Sequence, residues 1–209
     1  MKTLYIDTSS NYLYSGIVSE NSILREIKRE YQKDLSKEAL PKIIELFEKT
    51  NLTPKDIDKI IVVTGPGSFT GIRIGVTIAK TIAWSLNIPI ISISGLTAMA
   101  ISSISNTYKM PLIDARRGYV YGAIYDKDNN PIIEDSHIEL KELLDKTKSL
   151  DKVVTITNDN ITIDLSKENY DPDILKIVNY FKNEEGISPH LVNPIYLKKT
   201  EAEEKAGLW

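Results

Sequence analysis

Residues 4–18 read LYIDTSSNYLYSGIV, and residues 111–125 read PLIDARRGYVYGAIY. The two stretches align without a gap. Ile6, Asp7, Tyr12, Tyr14 and Ile17 of the first recur as Ile113, Asp114, Tyr119, Tyr121 and Ile124 of the second. Each copy reads as a strand, an aspartate-led turn and a second strand. Alternating apolar residues are common to hairpins in general. Identities that include the turn aspartate fit a duplication better.

Working outward from the first copy, strands are expected over 3–8, 12–19 and 22–31, the last two joined by a tight turn at Glu20 and Asn21. SKEALPKIIELFEK (36–49) places Ala39, Leu40, Ile43, Ile44 and Phe47 at helical spacing. Pro41 either sits in the first turns of that helix or bends it, because it has no N–H to donate. TPKDID (53–58) is a capped turn into a strand over 59–64, followed by a long helix over 70–87, a strand over 89–94 and a helix from Gly95. The small polar residues at 102–106 mark a boundary between a lobe over 1–104 and a smaller, divergent lobe over 105–209, whose tail is able to pack back on the first. In the second lobe, 110–114 and 119–126 read as strands and 139–147 and 171–183 as helices, with short strands between those helices. KKTEAEEKAGLW (198–209) reads as a charged, frayed tail. The expected fold is α/β. Two lobes, each opened by an aspartate hairpin, resemble the plan of the actin, Hsp70 and hexokinase superfamily with its ribonuclease H-like lobes. There the two aspartate turns face each other across a nucleotide cleft.

Composition removes several classes of function. A formal charge of −3 gives the 209-residue chain as a whole no electrostatic drive toward nucleic acid, so RNA-directed work would use a partner's basic surface. Cysteine is absent, which removes disulfides, thiol nucleophiles and thiolate metal sites. Asp7 interrupts any signal-peptide core, and Lys80, Asn87 and Pro89 interrupt the longest apolar stretch, 74–96. A cytoplasmic protein with no membrane span is expected.

VVTGPGSFTGIRIG (62–75) is strand, glycine loop and helix, the order in which many proteins hold phosphate. Neither named phosphate loop fits. Between Gly67 and Gly71 a Walker loop is one residue short, and Ile72 and Arg73 stand where Lys and Ser or Thr belong. The dinucleotide pattern fails because Gly65, Gly67 and Gly71 are spaced one residue too widely. A generic anion site capped by Ser68 and Thr70 stays open. The helix offers another use for glycine: Gly71, Gly75, Ala79 and Ala83 form a stripe of small residues beside a stripe of Ile74, Ile78, Ile82 and Leu86. With Ile72 and Val76 these cover roughly 200° of the circumference, more than a one-sided surface helix buries. Two readings of that arc stay open. Either the small stripe admits another helix at close range, from 36–48 or from another chain, or the whole arc is core.

Other chemistry is thinly represented. His137 and His190 have no partner at metal-ligand spacing, which argues against a zinc hydrolase. GPGSFTG lacks the spacing of a nucleophile elbow. Asp7 and Asp114 are the best catalytic-type carboxylates, able to hold Mg²⁺ or position water in an ATP-binding enzyme of the actin-like kind. Their turns, DTSSN and DARRG, carry only Gly118 for wrapping phosphate, so an aspartate capping its own turn is the better reading. Arg116 and Arg117 beside Tyr119 and Tyr121 could meet RNA or acidic groups, although solvated turn arginines are commoner.

LYIDTSS, ALPKIIELF, the run from VVTGPGSFTGIRIG to ISGLTAMA, and LIDARRGYVYGAIY resemble, in order, the TsaB (YeaZ) family over about the first 125 residues; NPIYLKK (193–199) resembles its closing segment. The resemblance implies the actin-like, Hsp70-like ATPase fold in a degenerate paralogue of TsaD, the catalytic threonylcarbamoyltransferase subunit. It implies no catalytic residues, no cofactor site and no metal site of its own, ATP and metal being bound by partner subunits. The H-x-x-x-H metal pair of TsaD has no counterpart across Ser36, Lys37, Glu38, Ala39 and Leu40. The implied role is a scaffold that forms a heterodimer with TsaD, works with TsaE, and depends on TsaC for threonylcarbamoyl-adenylate. Together they form N6-threonylcarbamoyladenosine in tRNAs reading ANN codons, the tRNA being met through the complex. The partner interface carried over by the resemblance is Ala39, Leu40, Ile43, Ile44 and Phe47 on the first helix, and Gly71, Gly75, Ile78, Ala79 and Ile82 on the second. An exposed apolar face there would also let the chain form a homodimer when TsaD is absent. One departure stands out: Leu35-Ser36-Lys37 replaces the family's His-Ser-Glu, so no polar role is carried to that stretch. The rivals are an ATP-binding enzyme using Asp7 and Asp114 and, more remotely, a peptidase.

Overall fold

The structure, a computed structural model, describes residues 1–31 and 34–198. All but Lys198 of the charged tail read at 198–209 lies outside the described residues. The chain begins with a meander of β1 (Lys2–Asp7), β2 (Tyr12–Ser19) and β3 (Ser22–Glu30). Next, β4 (Lys59–Gly65) and β5 (Ile90–Ser94) add in parallel beside β1, giving the order β3-β2-β1-β4-β5. The second half repeats the plan. β6 (Tyr108–Asp114), β7 (Tyr119–Tyr125) and β8 (Pro131–Glu139) are antiparallel, and β9 (Val153–Ile156) and β10 (Ser166–Glu168) are parallel to β6, in the order β8-β7-β6-β9-β10. This is the ribonuclease H-like lobe of the actin-like and Hsp70-like ATPase fold, present twice.

Parallel neighbours need crossover connections. In the first half α1 (Leu35–Thr50) leads from β3 to β4, and α2 (Phe69–Leu86) from β4 to β5. In the second, α4 (Leu140–Thr147) leads from β8 to β9, while 157–165, from β9 to β10, contain no helix. α3 (Gly95–Ser102) follows β5 and α5 (Ile174–Tyr180) follows β10. Pro41 is exposed and lies inside α1.

The chain divides into two compact units, Met1–Ser102 with Asp171–Pro194, and Ser103–Tyr170 with the segment beginning at Ile195. Residues 171–194, expected in the second lobe, therefore return to the first. Gly16 makes room for them, since a Cβ there would lie 3.2 Å from Ile174 Cδ1. The buried Lys59 ammonium donates to the Phe181, Lys182 and Glu184 carbonyls at 3.3, 2.9 and 3.0 Å, and Lys80 donates to the Val192 carbonyl at 2.6 Å.

Each unit has its own core. In the first, Leu4, Ile6, Ile17, Ile60 and Val62 of the sheet meet Ile43, Leu46 and Phe47 of α1 and Ile72 and Val76 of α2. In the second, Met110, Leu112, Val120 and Ile124 meet Leu143 of α4. These cores correct the sequence repeat. Asp7 pairs with Tyr14, whereas Asp114 pairs with Val120 instead of Tyr121. β2 and β7 keep the sequence alignment, so Ile17 and Ile124 both face a core. In β1 and β6, however, the places of Leu4 and Ile6 are taken by Met110 and Leu112, one residue earlier than the alignment puts them. A one-residue slip moves side chains to the opposite face. Asp114 consequently lies on the face occupied by Thr8, while Asp7 has Ile113 as its counterpart.

Candidate functional site

The glycine loop is filled by the chain's own backbone. The Ser68 N–H donates to the Ser9 carbonyl at 2.6 Å, and the Thr8 hydroxyl donates to the Gly71 carbonyl at 2.7 Å. A Cβ on Gly67, whose φ is +154°, would overlap the Ser9 carbonyl, and one on Gly71 would overlap the Thr8 carbonyl. Ser68 caps α2 by accepting from the Gly71 N–H at 3.2 Å. Glycine is needed here so that loop and helix can sit directly on the 8–9 turn.

Asp7 belongs to the same knot. Its carboxylate accepts the Ser9 N–H at 2.8 Å and the Ser9 hydroxyl at 2.7 Å, and only 2% of the residue is exposed. Burial pushes its pKa up, while hydrogen bonds from Ser9 and Tyr5 pull it back. Asp114 is exposed and accepts the Arg116 N–H at 2.8 Å, closing its own turn. The two aspartates are therefore not matching members of a duplicated site. Among the described residues no three His, Asp or Glu side chains converge as metal ligands.

The remaining candidate is the outer surface of α1 and α2. Of the ten interface residues carried over by resemblance, Ala39, Ile43, Phe47, Gly71, Gly75 and Ala79 are buried within the first unit. That settles the two readings of the small stripe. A Cβ on Gly75 would overlap the Thr8 hydroxyl and come within 3.5 Å of Ile6, so the stripe seats α2 on its own sheet and does not admit a second chain. Leu40 and Ile44, 47% and 48% exposed, lie one turn apart on α1. Ile78 and Ile82 of α2 are half-buried against the core that contains Ile43 and Phe47. These four residues form the outward part of the predicted surface. Two exposed aromatics on α2 escaped the prediction: Phe69, with the Arg73 guanidinium 3.8 Å above its ring, and Trp84, 66% exposed. The signal was available, since Arg73, Lys80 and Trp84 share the flank of the helix away from the isoleucines.

A doubled ribonuclease H-like lobe, with its glycine loop packed on the 8–9 turn and apolar residues on its outer helices, defines an actin-like-fold protein. Residues 15–203 match the family described as TsaD: tRNA N6-adenosine threonylcarbamoyltransferase. The chain is 31% identical to the tRNA threonylcarbamoyladenosine biosynthesis protein TsaB of Bacillus subtilis (strain 168), over 98% of this chain and 97% of the relative. It is 30% identical to the TsaB of Buchnera aphidicola subsp. Schizaphis graminum (strain Sg), over 75% and 77%. The solved structure of YeaZ from Pseudomonas aeruginosa superposes with a TM-score of 0.79 at 18% identity, covering 94% of this chain and 99% of that one. The chain belongs to the TsaB (YeaZ) branch of the TsaD family. No helix among the described residues is long and apolar enough to cross a membrane.

Proposed function

We propose that the chain serves N6-threonylcarbamoyladenosine formation in tRNAs reading ANN codons as a scaffold without a reaction centre of its own, by forming a heterodimer with TsaD. The observation that carries this reading is the end-to-end similarity to a TsaB named for that biosynthesis. The mode of action is supported by the apolar residues left on the outer helices, Leu40 and Ile44 with Ile78 and Ile82. An exposed apolar patch flanked by polar residues suits protein–protein contact. In this reading ATP, metal and threonylcarbamoyl chemistry belong to TsaD, TsaE and TsaC, and the work is cytoplasmic. The same patch makes self-association the state of the chain without TsaD.

The test is a drop-out reconstitution. TsaC, TsaD, TsaE, ATP, threonine, bicarbonate and unmodified tRNA are combined with and without this protein, and the modified nucleoside is quantified by mass spectrometry. Product is expected only when the chain is present, and Asp7→Asn and Asp114→Asn variants are expected to support it. A dispensable chain, or essential aspartates in folded variants, would overturn the reading in favour of an activity of its own.

A further inference from the structure

The opposite flank of α1 carries a different surface. At 100° per residue the helix divides into three arcs. Ala39, Ile43, Leu46 and Phe47 are buried, Leu40 and Ile44 lie on one side of them, and Glu38, Lys42, Glu45 and Lys49 lie on the other. That second flank faces β3. Ile27 of β3 packs against the core, so Arg25 and Arg29, two residues to either side, project from the same face. Arg25 and Arg29 from the strand and Lys42 and Lys49 from the helix line a cavity of about 290 Å³, with Ile27 and Leu46 beneath them. Lys42 is held by Glu45 at 2.6 Å, and the Arg29 guanidinium lies 5.3 Å from the Tyr31 ring. Among the described residues Arg25, Arg29 and Lys49 have no carboxylate within ion-pair distance. Glu26 and Lys28 also border the cavity but project from the other face of the strand, where Lys28 is paired with Asp171 at 2.9 Å.

We infer that this groove binds the phosphate backbone of tRNA. The inference rests on the reading that the chain serves tRNA modification. The chain carries a net charge of −3, so its surface as a whole repels RNA, and four cations converging against one groove carboxylate form a local exception. Arg25 and Arg29 stand about 13 Å apart along the strand, and Lys42 and Lys49 about 10 Å apart along the helix. The groove is thus long enough to meet more than one phosphate. Arginine forks fit phosphate oxygens in pairs, and lysine ammonium groups meet them as point charges. Recognition is therefore of charge and backbone, independent of sequence. Because Leu40 and Ile44 occupy the other flank, a protein partner docked there leaves the groove open.

Labelled unmodified tRNA is titrated with the full chain at salt concentrations from 50 to 200 mM and followed by fluorescence anisotropy. Arg25→Glu/Arg29→Glu/Lys49→Glu is expected to weaken binding about tenfold at the lowest salt and to reduce the slope of log affinity against log salt by about two. A control with the same net charge, Lys55→Glu/Lys127→Glu/Lys141→Glu, is expected to keep wild-type affinity and slope. Equal losses in both variants, or none in either, would overturn the groove. So would polyglutamate competing as well as an oligonucleotide of matched charge, which would point to an acidic peptide instead. This titration needs no catalysis, so failure of the groove is distinct from failure of the drop-out reconstitution.

Discussion

The two units share one strand order, yet their equivalent hairpins do different work. In the first, the 8–9 turn is buried under the glycine loop and the start of α2, and Asp7 is sealed inside. In the second, residues 157–165 between β9 and β10 contain no helix, nothing among the described residues lies within 4 Å of a Cβ placed on Gly118, and Asp114 is open to solvent. The difference shows what the crossover helix does. Where α2 is present, it converts a hairpin tip into core and leaves an outer helix surface. Without it, the hairpin remains an exposed turn, with Arg116 and Arg117 held at φ of 67° and 56°.

Matched substitutions would break or sharpen this contrast. The largest effect is expected from Gly71→Ala, because its new Cβ would overlap backbone at Thr8, which cannot rotate away. A loss of more than about 4 kcal/mol by chemical denaturation is expected. Gly122→Ala in the second unit meets the tips of Leu143 and Leu112 at 2.6 and 2.9 Å, which can shift, so about 1–2 kcal/mol is expected. Equal losses would contradict the distinction between the backbone wall that Thr8 sets against Gly71 and the movable leucines that face Gly122. Next, Lys59→Met leaves the Phe181, Lys182 and Glu184 carbonyls without their shared donor. About 2–3 kcal/mol should be lost, with hydrogen exchange rising first in α5. Unchanged protection there would mean that other contacts hold residues 171–194 to the first unit.

The smallest effect concerns the aspartates. Burial raises the folded-state pKa of Asp7 above its unfolded value, so the stability linked to its neutral form is fully present at low pH. That stability is lost as pH rises through the folded pKa. Asp7→Asn, which keeps an acceptor for Ser9, should therefore melt above wild type at pH 8, and the gap should close as pH falls toward 4. Asp114→Asn, at an exposed turn, should change the melting temperature at pH 7 by no more than about 2 °C. An Asp7→Asn variant that melts below wild type at pH 8 would show that its carboxylate is stabilised where it lies.

Much of this was legible in the sequence. The duplication, the three opening strands, the two long helices and the glycine-for-packing reading of the loop follow from period and spacing. β8 was missed because PIIEDSHIE has no clean alternation and is mostly half-buried or exposed. The repeat misled at its aspartates because an ungapped alignment cannot register a one-residue slip between paired strands. Side-chain period alone could not say which stripe of α2 faced inward. The contact of Gly71 and Gly75 with Thr8, distant in sequence, decides that, and it leaves the outward role to Leu40, Ile44, Ile78 and Ile82.

The central claim is that this outward patch is where TsaD docks. The most direct measurement is the affinity of purified TsaD for the Leu40→Asp/Ile44→Asp variant, by calorimetry, alongside its melting curve. Both side chains are about half exposed, so the fold should persist with a melting temperature within about 3 °C of wild type. Affinity should fall at least about a hundredfold, as expected when charges are placed in an apolar interface centre. A folded variant that binds TsaD as tightly as wild type would contradict the account.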